Sequence, residues 1–245
     1  MRALLLAAGR GTRISRYLSG NPKCTVDIGE EKLISYTIKM LREKGISEIG
    51  IVLGYKGEII KEILKHEKIT YFYNPFYDVT NSIASAWFAK EFIKKDEELM
   101  IMNADVYLES TILDDIISCK KDPVLFADDR RKEEADYKFK YENGILQKYG
   151  KELQGDDITG EYIGVAKLGK NMIEPFLEKM EEMINNQNHS VWWENILYGM
   201  VGTRDIFIVN VGEKFWAEVD YIEDYERILK FRGYHLDFVA DVKRN

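Results

Sequence analysis

Ala3 to Ala8 is an unbroken apolar run, and Gly9 and Gly11 end it. A run this short, closed by glycines, reads as a buried parallel strand that opens into a turn. Glycine lacks a Cβ, so the backbone there can lie close against a ligand. Arg10, Arg13, Arg16 and Lys23 follow, placing four cations just past the turn. Cations beside exposed backbone N–H groups make a phosphate site. A dinucleotide fingerprint is excluded, because its third glycine would fall at Ile14, and no Gly-Lys-Ser/Thr supplies a mononucleotide P-loop. The stretch from Met1 to Cys24 therefore reads as a cradle for a nucleoside triphosphate.

Strand and helix patterns alternate after it. Leu33 to Glu43 is helical, with Ile34, Ile38 and Leu41 on one face and Gly45 closing it. Glu48–Leu53 is a second strand, Glu58–Lys65 a short helix and Ile69–Tyr73 a third strand. Repeats of this length imply right-handed crossovers and a parallel sheet, with ligands at the carboxyl ends of its strands. Asn81 or Ser82 can cap a helix running to about Phe92. Glu98–Met102 is a fourth strand and runs into Asn103-Ala104-Asp105. A carboxylate at that edge suits Mg²⁺, which takes oxygen ligands and keeps phosphates in its shell. It could also simply cap the helix expected over Thr111–Cys119.

Val124–Ala127 is a fifth strand, and the alternation then breaks. The cluster Asp128–Glu134 reads as a solvated loop. Tyr137–Tyr141, Asn143-Gly144 and Ile145–Tyr149 read as a hairpin with a type I′ turn, and Glu161–Leu168 as another strand. The expectation is a small β insertion over about 129–168, packed over the nucleotide and lining the acceptor pocket. Asn171–Asn186 is a helix, and Val191–Asn195 opens another. Asp205–Val209 is a strand, Phe215–Asp220 follows it, and a last helix runs from Tyr221 to about Arg232. Asp220 could be its N-cap, with Glu223 completing a box.

At 245 residues the chain suits one large α/β domain, and with no flexible linker it reads as a single domain over 1–245. Its net charge of −7 excludes general nucleic-acid binding, since an acidic body repels a phosphate polymer. No run reaches membrane length. Cys24 and Cys119 show no pairing pattern, so reduced thiols and a cytoplasmic setting are expected. His66, His189 and His235 are scattered and make no zinc spacing.

Ala7, Ala8, Gly9, Gly11, Arg13, Pro22 and Lys23 together resemble the A-A-G-x-G-x-R…P-K signature of the nucleotidyltransferases that activate sugars and small phosphorylated alcohols. Asn74, Tyr77, Asn81-Ser82 and Ser85 resemble the N-x-x-Y…N-S-x-x-S stretch of the phosphocholine cytidylyltransferase branch. Glu218–Tyr225 resembles the family's E-I-D-T-P-E-D-L segment, with Tyr221 and Ile222 replacing Thr-Pro. The resemblance implies a Rossmann-like mixed, mostly parallel sheet with helices on both faces, in the glycosyltransferase-A-like arrangement. It implies transfer of CMP from CTP to a small phosphorylated amine or alcohol, phosphocholine-like or an aminoalkylphosphonate. Lys23 would neutralise the α-phosphate, Arg13 would hold the β/γ-phosphates, and Asp105 and Asp220 would hold Mg²⁺. Leu6, Ala7, Ala8, Gly9, Gly11, Asn81, Ser82, Ser85 and Asn103 would lie against the nucleotide.

For the acceptor, Tyr162, Trp192, Trp193 and Glu194 suit a cationic ammonium, because aromatic faces attract it and a carboxylate pairs with it. Adjacent helical residues do not share a face, so at most one of the two tryptophans should point into the pocket. Arg130, Arg131 and Lys138 could instead meet a carboxylate and favour a phosphorylated amino acid. A hexose-1-phosphate nucleotidyltransferase using UTP or dTTP, and a catalytically silent nucleotide-binding regulator, stay open as alternatives. So does a homodimer.

Overall fold

The structure, a computed structural model, describes residues 1–11, 13–14, 18–94, 96–132 and 135–234. Arg16, Glu133, Glu134 and His235 lie outside the described residues. The chain begins β1 (Arg2–Ala7), α1 (Leu33–Glu43), β2 (Ile49–Leu53), α2 (Gly57–Ile63), β3 (Thr70–Tyr73), α3 (Ser82–Phe88), α4 (Lys90–Ile93) and β4 (Leu99–Asn103). It continues with β5 (Val106–Leu108), α5 (Ser110–Ser118), β6 (Val124–Asp128), β7 (Lys138–Glu142), β8 (Ile145–Gly150) and β9 (Gly160–Leu168). It closes with α6 (Lys170–Asn185), α7 (Asn195–Tyr198), β10 (Phe207–Asn210), β11 (Trp216–Glu218) and α8 (Ile222–Phe231).

Nine strands form one sheet in the order β3-β2-β1-β4-β9-β6-β10-β8-β7. β1 runs parallel to β2 and β4, β2 to β3, and β6 to β10, while β9 is antiparallel between β4 and β6. The N-terminal apolar run is unbroken because β1 is covered on both faces. Ala3, Leu5 and Ala7 pack with Ile34, Ile38 and Leu41 of α1 on one side. Leu4 and Leu6 pack with Ile83, Phe92 and Phe176 on the other. The two sets alternate because successive strand side chains point to opposite faces.

The middle of the chain departs from expectation. β9 is no member of a separate small sheet; it is a central strand, buried at all nine positions. Its buried polar residues are satisfied locally. Glu161 accepts from the backbone N–H of Asp136, and Lys167 Nζ donates to the carbonyls of Ile117 and Cys119. The β7–β8 hairpin forms as expected, with positive φ at both Asn143 and Gly144 as a type I′ turn requires. It extends the large sheet through β10 and touches β9 at Lys138 and Phe139.

Two helices also begin or end elsewhere. The expected helix to Phe92 is interrupted at Ala89, which separates α3 from α4. Residues 191–194 are not helical; α7 starts at Asn195. The cause is α3, whose first residues hold that segment: Asn81 N donates to the His189 carbonyl and Ile83 N to that of Val191.

Candidate active site

The sheet collects the site residues at one edge. β1 and β4 are adjacent and parallel, pairing Leu6 with Asn103, so the Gly9–Lys23 turn and Asp105 emerge side by side. β9 runs the opposite way and therefore starts there, with Glu161 and Tyr162 paired to Asp128 and Ala127. The second sheet is what brings in Asp220. β11 pairs antiparallel with β5, setting Glu218 opposite Val106, and Val219 N donates to the Asp105 carbonyl at 3.0 Å. Two carboxylates far apart in sequence thus become neighbours.

Asp105, Glu218 and Asp220 each offer an oxygen within 4.8 Å of the others. Lys23 Nζ bonds Asp220 Oδ1 and lies 3.3 Å from Asp105 Oδ2. Arg13 donates to Asp220 Oδ2 at 2.6 Å and covers the Tyr221 ring. Burial alone would lower the Lys23 pKa; Asp105 and Asp220 outweigh it and hold the ammonium well above its usual range. Burial, with Asp105 and Asp220 alongside, pushes Glu218 well above the usual carboxylate range. Asp220 is not the α8 cap: Tyr221 holds that position, and its N–H is taken by Asp224 rather than Glu223. The Asp220 carboxylate is left to the cluster. An all-oxygen set of three acids fits a hard divalent cation. Glu218 was not among the expected ligands; its position two residues before Asp220 in a short strand was the available signal.

Gly11 is required by Lys23. Its φ is +60°, and a Cβ there would stand 2.4 Å from Lys23 Cγ. Gly11→Ala should therefore cost about 1–2 kcal/mol of stability from the left-handed backbone. It should also displace the lysine and lower turnover at least tenfold. Urea unfolding and steady-state kinetics check both effects. Arg10, by contrast, lies over the Tyr55 ring at 5.4 Å and makes no ion pair with the carboxylates.

A cavity of about 470 Å³ opens onto Gly9, Gly11, Arg13, Lys23, Glu218 and Asp220, and also onto Asn81, Asn103, Tyr162, Trp192 and Glu194. Leu6 and Ala7 line a smaller neighbouring cavity that shares Gly9, Gly11 and Lys23. Asn81 caps α3, its Oδ1 accepting from Ser82 N at 2.8 Å, and faces the cavity as well. Ser82, Ser85 and Ala8 line neither cavity. Ser82 Oγ accepts from Trp193 N, Ser85 Oγ accepts from Asn74 Nδ2, and the Ala8 carbonyl accepts from Tyr55 N.

The tryptophans divide as helical geometry suggested, although neither is in a helix. Trp192 is 41% exposed and lines the cavity; Trp193 is fully buried. Trp193 Nε1 donates to Asn103 Oδ1 at 3.1 Å, and Asn103 stands close enough to Glu194 to offset part of that carboxyl's upward shift. Gly164 makes room for this: φ is +79° and a Cβ would press on Val106 and the Asn103 amide. Burial pushes Glu194 up to about 8 and Glu161 up to about 7, and both line the cavity. Arg130 is engaged by Asp128 and the Lys214 carbonyl, Lys138 by the carbonyls of Lys151 and Leu153. Arg131 stands close enough to Glu161 to offset part of its upward shift. Tyr137, Tyr198, Lys151 and Glu161 line the cavity without having been foreseen.

No helix among the described residues is long and apolar enough to cross a membrane. The chain is 27% identical to the CTP:phosphoglutamine cytidylyltransferase of Campylobacter jejuni, over 92% of this chain and 98% of that one. It is 24% identical to the choline-phosphate cytidylyltransferase of Streptococcus pneumoniae, over 93% and 96%. Among solved structures it superposes on the CTP:phosphocholine cytidylyltransferase from Streptococcus pneumoniae with a TM-score of 0.78 at 22% identity, covering 94% of this chain and 98% of that one. The inositol-1-phosphate CTP transferase from T. maritima gives 0.76 at 17%, covering 96% and 97%. The fold is thus the glycosyltransferase-A-like arrangement of nucleotidyltransferases. Residues 3–180 match the family model for the MobA-like NTP transferase domain, and the chain belongs to that nucleotidyltransferase family.

Proposed function

We propose that the protein is a cytidylyltransferase, working as one domain, that moves CMP from CTP to a small phosphorylated acceptor bearing an amine. An oxygen of the acceptor's phosphate or phosphonate attacks the α-phosphorus. The bond to the bridging oxygen breaks, and pyrophosphate leaves. One arrangement supports this reading above others: the Lys23–carboxylate cluster and the Glu194 pocket with its aromatic rings open into the same cavity. The reaction needs no side-chain nucleophile, only positioning and charge neutralisation. Lys23 would meet the α-phosphate and Arg13 the β- and γ-phosphates. Gly9 and Gly11 let the backbone approach them. Mg²⁺ held by Asp105, Glu218 and Asp220 would neutralise the triphosphate as it accepts charge.

An amine acceptor is favoured over a carboxylate one because Arg130 and Lys138 are engaged within the protein, whereas Glu194 shares the cavity wall with Tyr137, Tyr162, Trp192 and Tyr198. The choice of cytosine rests on the similarity to cytidylyltransferases and on Asn81 at the cavity wall. Cytosine and uracil differ at a donor-versus-acceptor edge, so a site built for one leaves a buried group unpaired with the other. CTP should exceed UTP at least tenfold in kcat/KM. Pyrophosphate release with each nucleotide, against a panel of amine, amino-acid and sugar phosphates, tests the reading; equal rates with UTP, or preference for a sugar phosphate, would sink it. Cys24 and Cys119 are both free, which supports a reducing, cytoplasmic setting.

A further inference from the structure

Asp128 ends β6 with a carboxylate that solvent does not reach. It lines neither of the two cavities described above, and the transfer reaction gives it no task. A buried carboxylate is costly unless it is paired and hydrogen-bonded. This one is saturated. Its Oδ1 accepts from Arg130 N at 2.8 Å and from Arg130 Nε at 3.0 Å. Its Oδ2 accepts from Arg130 Nη2 and from the indole Nε1–H of Trp216, both at 2.8 Å. Burial alone would raise its pKa; the bonds from Arg130 and Trp216 outweigh it and hold the group below the usual carboxylate range. The Trp216 bond is therefore made to a charged acceptor and is the stronger for it. Arg130 Nη2 also donates to the Lys214 carbonyl at 2.8 Å, so the guanidinium holds the chain just ahead of β11 as well.

β11 needs such a hold. It has three residues, and so has its ladder partner β5. A two-stranded ribbon is marginal by itself, and a slip of one residue turns every side chain to the other face. Trp216 and Glu218 are two apart and share a face. Trp216 packs in the same apolar cluster as Phe126 of β6. Ala217 and Val219 face the other way, into the cluster that contains Ile228 and Leu229 of α8. A slipped β11 would carry Glu218 toward that second cluster and away from Asp105 and Asp220.

We propose that Asp128, Arg130 and Trp216 are positioning residues for the metal: by tying the Trp216 indole to the end of β6 they set the register of β11, and with it the place of Glu218 and Asp220. The proposal rests on reading Asp105, Glu218 and Asp220 as the metal site. None of the three positioning residues lines the large cavity, so their effect on the reaction runs through the carboxylates.

Two substitutions cut the tie from opposite ends. Trp216→Phe keeps an aromatic ring in the core and removes the N–H; Asp128→Ala removes the acceptor. Calorimetric titration with Mn²⁺ should show each variant binding about tenfold or more weakly than wild type, the scale on which groups that orient metal ligands act. The double variant should bind no more weakly than the poorer single one, because both substitutions remove the same link. Ile60→Val trims the buried face of α2 and controls for lost stability. Its Tm should fall while its Mn²⁺ affinity stays at the wild-type value. Wild-type affinity in Trp216→Phe, losses that add in the double variant, or an equal loss in Ile60→Val would overturn the proposal and leave the metal site standing. Absence of Mn²⁺ binding in wild type, or binding that Asp220→Ala does not weaken, would overturn the metal reading and this proposal with it.

Discussion

Asp220→Ala should lower turnover about a thousandfold or more at saturating CTP and Mg²⁺. Losing a metal ligand at a polyphosphate forfeits several kcal/mol of charge stabilisation, and each 1.36 kcal/mol is a factor of ten. Asp220 also holds Arg13 and Lys23, so its loss releases both cations from their resting positions. The fold should survive. Asp220 sits after the last residue of β11, and the β11–β5 ladder and the Val219–Asp105 backbone bond do not involve its side chain. Two acids remain to neutralise Lys23. Asp105→Ala and Glu218→Gln should fall in the same class. The measurements are kcat, circular dichroism and Mn²⁺ binding by calorimetry. Near-normal turnover in Asp220→Ala would show that the metal is held elsewhere.

Lys23→Ala should lower kcat by about 100-fold or more, while the KM for CTP rises far less. Charge grows on the α-phosphoryl oxygens as the transition state forms, and a preorganised cation acts there more than in the ground state. A variant that raises KM alone would make Lys23 a binding residue only. The same substitution has a second, independent readout. Without Lys23, Asp105, Glu218 and Asp220 face one another with less compensating charge. Their mutual repulsion should lower Tm, and added Mg²⁺ should restore it, since a ligand bound by the native state alone stabilises it by mass action. The Mg²⁺-dependent rise in Tm should be larger in the variant than in wild type. Lys23→Arg keeps the charge and should retain most of the stability.

The large sheet was legible because its parallel strands are continuous apolar runs with no competing period: β1, β2, β4 and β6 lie where the sequence puts them, to within a residue or two. That Gly9, Gly11, Arg13 and Lys23 meet at one cavity was legible for a related reason, since residues close in sequence remain close in space. What stayed hidden depends on contacts between distant segments. β5 has three residues, too few for any periodicity, and exists only because β11 pairs with it. Glu218 therefore entered the carboxylate cluster unannounced. β9 was recognised as a strand, but its place between β4 and β6 could not be read, because nothing local distinguishes a central antiparallel strand from a hairpin edge. Tyr198 was invisible as a pocket residue for the opposite reason. In sequence it is one more apolar residue of a short helix, and its orphan hydroxyl becomes apparent only once the wall around it is assembled.

The contacts between α3 and the segment ahead of α7 bear on how new acceptor choices could be engineered. Asn81 N, Ile83 N and Ser82 Oγ bind His189 O, Val191 O and Trp193 N respectively. A loop transplanted over 189–194 from a relative would arrive without the partners that set its path. Asn81 would lose its seat, and with it the cap of α3. Residues 81–83 and 189–194 thus form a single exchangeable cassette. Chimeras that carry both halves should fold and take the donor's acceptor preference, whereas those carrying one half should be defective even where every pocket side chain has been copied.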